Sequence, residues 1–172
     1  MLEYLLGHFT GLLVVDADGL TLLSRMDRAR IRSAACTLVL TPHVKEFSRL
    51  TGLTVEEILN SPVSTAEVYA KETGVILLLK GPATVITNGE TTYITDTGCA
   101  GMATAGSGDV LSGILAAVLG YAPDPLFGTA AAAWINGRAG ELAQEKYGDI
   151  SMIASDTVNS IAETLRSISA MQ

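Results

Sequence analysis

Three short apolar runs, Leu12–Val15, Thr37–Leu40 and Val75–Leu79, each end at a turn signal, a proline or a charged residue, and helix-like stretches separate them. Branched residues in runs this short, with no polar alternation, suit strands buried on both faces of a parallel sheet. Their alternation with helices makes the chain α/β with a mostly parallel sheet. Ligands bind such sheets beyond the carboxyl ends of the strands. The residues that follow the runs are therefore site candidates: Asp16 and Asp18, then Thr41-Pro42-His43-Val44-Lys45-Glu46, then Lys80-Gly81-Pro82-Ala83-Thr84.

The remaining elements follow from local signals. Residues 1–11 read as irregular, and a helix is expected from the Pro42 region through Leu50. Thr54 and Glu57 form a capping box for a helix to Leu59, and a further helix is expected over Ser64–Glu72. Val85–Thr87 and Thr92–Ile94 flank Asn88-Gly89-Glu90, a single local β-hairpin. Helices from about Leu126 to Glu145 and from Asp156 to Ile168 close the chain. A length of 172 residues fits one domain spanning 1–172.

A second organising stretch runs from Thr97 to Asp109 and is dominated by Gly, Ala and Ser; an apolar run, Val110–Leu119, with helical spacing follows at once. That reads as a flexible loop entering a buried helix, and a helix start offers unpaired amides and partial positive charge to an anion. Gly106, Ser107 and Gly108 would form the cradle. A Walker loop is excluded because Ser107 and Gly108 stand where Lys and Ser or Thr are needed. A dinucleotide fingerprint is excluded because Leu111 occupies the third glycine position. Asp109, the lone charge on the helix, is open to two readings, a capping carboxylate or a catalytic one.

The other candidates also carry plain readings. A single His at a helix start is more often a cap or surface group than a catalyst, and Lys80 could simply flank its strand. Asp16 and Asp18 are ordinary turn formers and caps. Cys36 sits in an apolar run, and Cys99 has no His near it in sequence, so neither pattern favours a nucleophile, zinc framework or disulfide. A net charge of −7 and a pI of about 4.7 argue against nucleic-acid binding. No uninterrupted apolar stretch reaches membrane-spanning length and the start is a poor signal peptide, so the expected location is cytoplasmic.

Four strand-end and loop motifs occur in a telling order: Val15-Asp16-Ala17-Asp18-Gly19-Leu20, Leu40 to Glu46, Leu79 to Thr84, and Gly101 to Asp109. Together they resemble the ADP/ATP-dependent NAD(P)H-hydrate dehydratases of the ribokinase-like superfamily, over roughly Leu12 to Asp156. The resemblance implies nucleotide-dependent phosphorylation of the ring hydroxyl of hydrated NADH or NADPH, then loss of phosphate to restore the dihydronicotinamide. It implies Asp109 as catalytic base and substrate contact, and His43 as substrate-binding. Lys80, Gly81, Pro82, Ala83, Thr84 and Gly108 would be nucleotide-binding. It further implies ATP or ADP as phosphate donor with Mg²⁺, whose ligands the sequence does not name.

This chain departs from the family pattern at Cys99, at Ala105, where the family has Gly, at Val44-Lys45, where it has Pro-Gly, and at Gly19-Leu20-Thr21. Ala105 is tolerable only with a negative φ. Family members also carry strands and helices before the equivalent of Leu12, so the expectation is an N-terminally shortened ribokinase-like domain. Such a domain would form a homo-oligomer through the surface around residues 1–20. Nucleotide is expected between the Lys80–Thr84 segment and the glycine loop. Two alternatives stand beside the dehydratase: a vitamin, thiazole or sugar kinase of the same superfamily, and a non-catalytic nucleotide-binding remnant.

Overall fold

The computed structural model describes residues 1–169, and the chain divides into two compact units that meet in sequence between Ile94 and Thr95. The first unit is built on a sheet. In chain order its elements are α1 (Leu2–His8), β1 (Leu12–Val15), α2 (Asp18–Leu23), α3 (Arg28–Arg32), β2 (Thr37–Leu40), α4 (Val44–Thr51), α5 (Val55–Asn60), α6 (Pro62–Thr73), β3 (Ile76–Leu79), β4 (Thr84–Thr87) and β5 (Thr92–Thr95). The last residue of β5 opens the second unit.

The strands lie in sequence order, β1 to β5. β1 pairs parallel with β2, with Val15 opposite Leu40, and β2 pairs parallel with β3, with Leu40 opposite Leu77. β3 pairs antiparallel with β4, Leu78 opposite Ile86, so the sheet is mixed and its antiparallel part begins one strand before the hairpin at Asn88. All four residues of β3 are buried, as its uniform apolar character predicts. Leu38, Leu40, Leu77 and Leu79 join Phe47, Ala66, Tyr69 and Ala70 of α4 and α6 in one core. Replacing Leu77, which is fully buried, with Ala would cost about 2–5 kcal/mol.

Two arginines tie the helix ends of this unit together. Arg32 donates to the carbonyls of Lys71 and Glu72, and Arg28 donates to the Thr51 carbonyl and pairs with Glu72. A cation at a helix carboxyl end meets both unpaired carbonyls and the negative end of the dipole.

Residues 2–8 depart from the expected irregular start by forming α1. The sequence signal was weak because the segment is short, contains Gly7 and has no side-chain cap. Tertiary contact holds it: Leu6 is fully buried, its carbonyl accepts from Ala35 N at 2.8 Å, and Leu2 packs on the core. The expected helix over Ser64–Glu72 begins earlier, with Pro62 as its first residue, where a missing N–H costs nothing. The Thr54–Glu57 capping box is present as read from the sequence.

The second unit holds a short 3₁₀ turn (Ala100–Met102) and three helices, α7 (Ser107–Leu119), α8 (Pro125–Tyr147) and α9 (Ala154–Ser169). α8 packs on both α7 and α9. Its buried face is unusually small, with Ala132, Ala139 and Ala143 fully buried alongside Gly137 and Gly140. Among the described residues, no helix is long and apolar enough to cross a membrane.

Candidate functional site

In the first unit, backbone bonds draw the residues after β1, β2 and β3 together. Thr41 N donates to Val15 O at 3.2 Å, and Lys80 N donates to Pro42 O at 2.8 Å, making a parallel bridge between His43 and Lys80. The Lys80 ammonium then reaches back to Asp16, at 3.1 Å from one carboxylate oxygen and 3.3 Å from the other. Asp16 also accepts from Ala17 N at 2.8 Å. Ala17 has φ 48° and ψ −118°, and it is the one non-glycine residue with positive φ among the described residues. Backbone strain of this kind costs roughly 1–3 kcal/mol and persists only where surrounding contacts over-determine it. Asp16 therefore does more than form a turn: it fixes Lys80. Neither Asp16 nor Asp18 is the N-cap of α2, a position held by Ala17 without a side-chain bond.

His43 is the N-cap of α4. Its Nδ1 accepts from Lys45 N at 3.1 Å and Glu46 N at 3.2 Å, while Glu46 Oε2 accepts from His43 N at 2.9 Å. The capping reading of this His is thus met. It also fixes the chemistry of the ring, since an Nδ1 that accepts two bonds leaves the neutral imidazole with its proton on Nε2. That edge is half exposed, with Glu46 Oε1 3.6 Å from Nε2. His43 can therefore donate to a ligand oxygen without losing its cap. Lys45 is exposed, as are Gly81, Pro82 and Ala83, and Thr84 is half-buried where β4 begins.

In the second unit, Gly106 caps α7 in the left-handed conformation, φ 90° and ψ −10°, which disfavours any side chain. Ala105 keeps a negative φ, so the departure from Gly there is accommodated. Gly106 carries no side-chain cap, and a helix start leaves its first amides, here those of Gly108 and Asp109, without intrahelical acceptors. The Ser107 hydroxyl is buried and has no hydrogen-bond partner among the described residues. A buried hydroxyl left unpaired costs about 1–3 kcal/mol, so a polar ligand atom would complete it. The Asp109 carboxylate lies exposed in the first turn and forms no hydrogen bond or ion pair among the described residues. Side-chain capping by Asp109 is thereby absent.

Cys99 donates its thiol to Gly140 O at 3.3 Å, and burial pushes its pKa up, which works against a thiolate nucleophile. Cys36 is buried, and burial raises it too. Among the described residues, no group of three or more His, Cys, Asp or Glu could hold a metal ion.

Sequence reasoning did not find Glu141 and Gln144. Glu141 Oε1 accepts from Gly98 N at 3.0 Å and Gln144 Oε1 accepts from Gly101 N at 3.1 Å. Gly137, Gly140, Glu141 and Gln144 stand at i, i+3, i+4 and i+7, one face of a helix, and that spacing was the available signal.

The profile of the NAD(P)H-hydrate dehydratase family matches residues 1–163. A bifunctional NAD(P)H-hydrate repair enzyme of Moorella thermoacetica is 41% identical over 157 residues, covering 90% of this chain and 29% of the enzyme. An ADP-dependent (S)-NAD(P)H-hydrate dehydratase of Cenarchaeum symbiosum is 46% identical over 110 residues, or 64% of this chain and 38% of the enzyme. The crystal structure of the ADP/ATP-dependent NAD(P)H-hydrate dehydratase of Bacillus subtilis, co-crystallised with ATP and Mg²⁺, superposes with a TM-score of 0.81. It is 25% identical, covering 90% of this chain and 54% of that one. The chain thus spans between about a third and about half the length of these relatives, and its architecture is ribokinase-like. On the profile match and these likenesses, the chain belongs to the NAD(P)H-hydrate dehydratase family.

Proposed function

We propose that the chain carries nucleotide-dependent dehydration of hydrated NADH or NADPH, the activity named for its Bacillus subtilis relative. The observation that best supports it is the start of α7, where a left-handed glycine, an unpaired buried hydroxyl and an unpaired exposed carboxylate stand in four consecutive residues. Gly106, Ser107 and Gly108 would cradle phosphate, and Lys80 to Thr84 with Gly108 would contact the nucleotide, ATP or ADP. His43 would donate its Nε2–H to an oxygen of the hydrate.

The chemistry assigned to these groups balances simply. Asp109 takes the proton of the ring hydroxyl while that oxygen attacks the terminal phosphorus, and the nucleotide leaves with one phosphate fewer. The ring C–O bond then breaks, phosphate departs with the electron pair, and loss of a ring proton restores the double bond. Mg²⁺ would neutralise phosphate charge during the transfer.

A homo-oligomer through residues 1–20 belongs to the same proposal, supported by exposed Met1, Tyr4 and Phe9. Light scattering that showed a monomer would remove that part, and a cytoplasmic location goes with the substrate. The enzymatic claim is tested with hydrated NADH plus ATP or ADP. Return of NADH absorbance supports dehydration, a stable phosphorylated product supports a kinase, and nucleotide binding without turnover supports a remnant.

A further inference from the structure

The segment from Thr97 to Met102 lies along α8 as a strap. It reaches the helix closely because α8 has no side chains at two positions. A Cβ at Gly137 would stand 2.7 Å from the Thr97 carbonyl oxygen, and one at Gly140 would stand 2.7 Å from Met102 Cγ. On its other side the strap packs on the connection between α8 and α9, where a Cβ at Gly101 would meet Met152 Cγ at 2.7 Å. Ser107 N then donates to Thr104 O at 3.3 Å, which carries the strap into the Gly106 turn.

A glycine-rich strap is costly to order, roughly 1–2 kcal/mol of backbone entropy per residue, so something must offset that cost. Two side chains of α8 do so by accepting its amides, Glu141 from Gly98 and Gln144 from Gly101. Gly98 has φ 121°, and a bond from its N–H to a carboxylate is charge-assisted. Arg138 donates to the other oxygen of Glu141 at 2.8 Å, which orients the carboxylate with Oε1 free for Gly98. Burial opposes ionisation of Glu141, yet the bonds from Arg138 and Gly98 N hold its pKa below the ordinary glutamate range.

We propose that Glu141 and Gln144 are positioning residues that hold the Gly98–Gly101 strap, and through it the Gly106–Asp109 turn, in the shape that binds nucleotide phosphate. The inference rests on the phosphate role given to that turn above.

Amide hydrogen exchange at Gly98 and Gly101, measured without nucleotide, reads the anchor directly; titration with ATP or ADP and Mg²⁺ reads its consequence. Glu141→Ala is expected to speed exchange at Gly98 and to weaken nucleotide binding, each by about tenfold, as loss of a charge-assisted bond implies. At saturating nucleotide, where the bound phosphate itself orders the turn, the rate should stay within about threefold of the parent. Glu141→Gln keeps one acceptor oxygen but loses the charge and sets an NH2 group against one of the two donors, so both readings should fall between those of the parent and Glu141→Ala. Glu145→Ala, which removes only a more distant partner of Arg138 at 3.8 Å, should match the parent. Gln144→Ala provides an independent test through Gly101 if Glu141→Ala folds poorly. Unchanged exchange in the alanine variants, or faster exchange with unchanged nucleotide affinity, would overturn the proposal. A parent chain that binds no nucleotide would instead remove the phosphate reading and the strap's role with it, while Gly98 exchange still decided whether the anchor exists.

Discussion

The two candidate regions are made in opposite ways. At the strand ends of the first unit the groups assigned to ligands already have structural partners: Lys80 pairs with Asp16, and His43 caps α4 while Glu46 caps His43 in return. At the start of α7 the site is backbone and small side chains, and its two polar side chains, Ser107 and Asp109, have no partner among the described residues. In the first region Lys80 and His43, the side chains assigned to ligands, also hold the fold. The second keeps its groups in reserve. Substitutions in the first should therefore disturb stability and function together, whereas those in the second should separate the two.

Lys80→Ala should break the first region most. It removes a cation assigned to nucleotide and leaves Asp16 without its counter-ion, so nucleotide affinity should fall about 10- to 100-fold with a lowered unfolding midpoint. Titration and thermal melting on one preparation check both. If affinity fell with the midpoint unmoved, the Asp16 pair would be a bystander.

His43 allows the two roles to be pulled apart. His43→Ala should cost about 1 kcal/mol of stability through the lost cap and raise the KM for hydrate about tenfold, whereas His43→Asn should keep the cap and lose only the substrate contact. Equal stability in both variants would contradict the cap; equal KM in variant and parent would contradict the contact.

The smallest effect belongs to Ser107. Ser107→Ala deletes a buried hydroxyl with no partner, so the free chain should be as stable as the parent or slightly more so, while nucleotide binds about 3- to 10-fold more weakly. Denaturant melts and titration separate these, and a clear loss of stability would mean the hydroxyl is satisfied in the free protein.

The difference between the regions also explains what was legible in the sequence. β1 and β2 could be read residue for residue, and β3 to within one residue, because an apolar run closed by a turn residue is a local signal. The Thr54 capping box and the Asn88 hairpin were legible for the same reason. α1, α2 and α3 were missed because short helices are held by distant contacts, such as Arg30 reaching the Glu3 carbonyl. The Asp16–Lys80 pair joins residues 64 apart, and the Glu141 anchor joins residues 43 apart. No local window contains either.

Asp109 tests the account most directly, because it separates chemistry from capping in one substitution. Hydrated NADH with ATP or ADP should regain NADH absorbance with the parent chain. Asp109→Asn should lower that turnover about 10²- to 10⁴-fold, with nucleotide affinity and melting midpoint unchanged. An Asp109→Asn chain as active as the parent, or one that lost activity only by losing its fold, would contradict the assignment of Asp109 as the base.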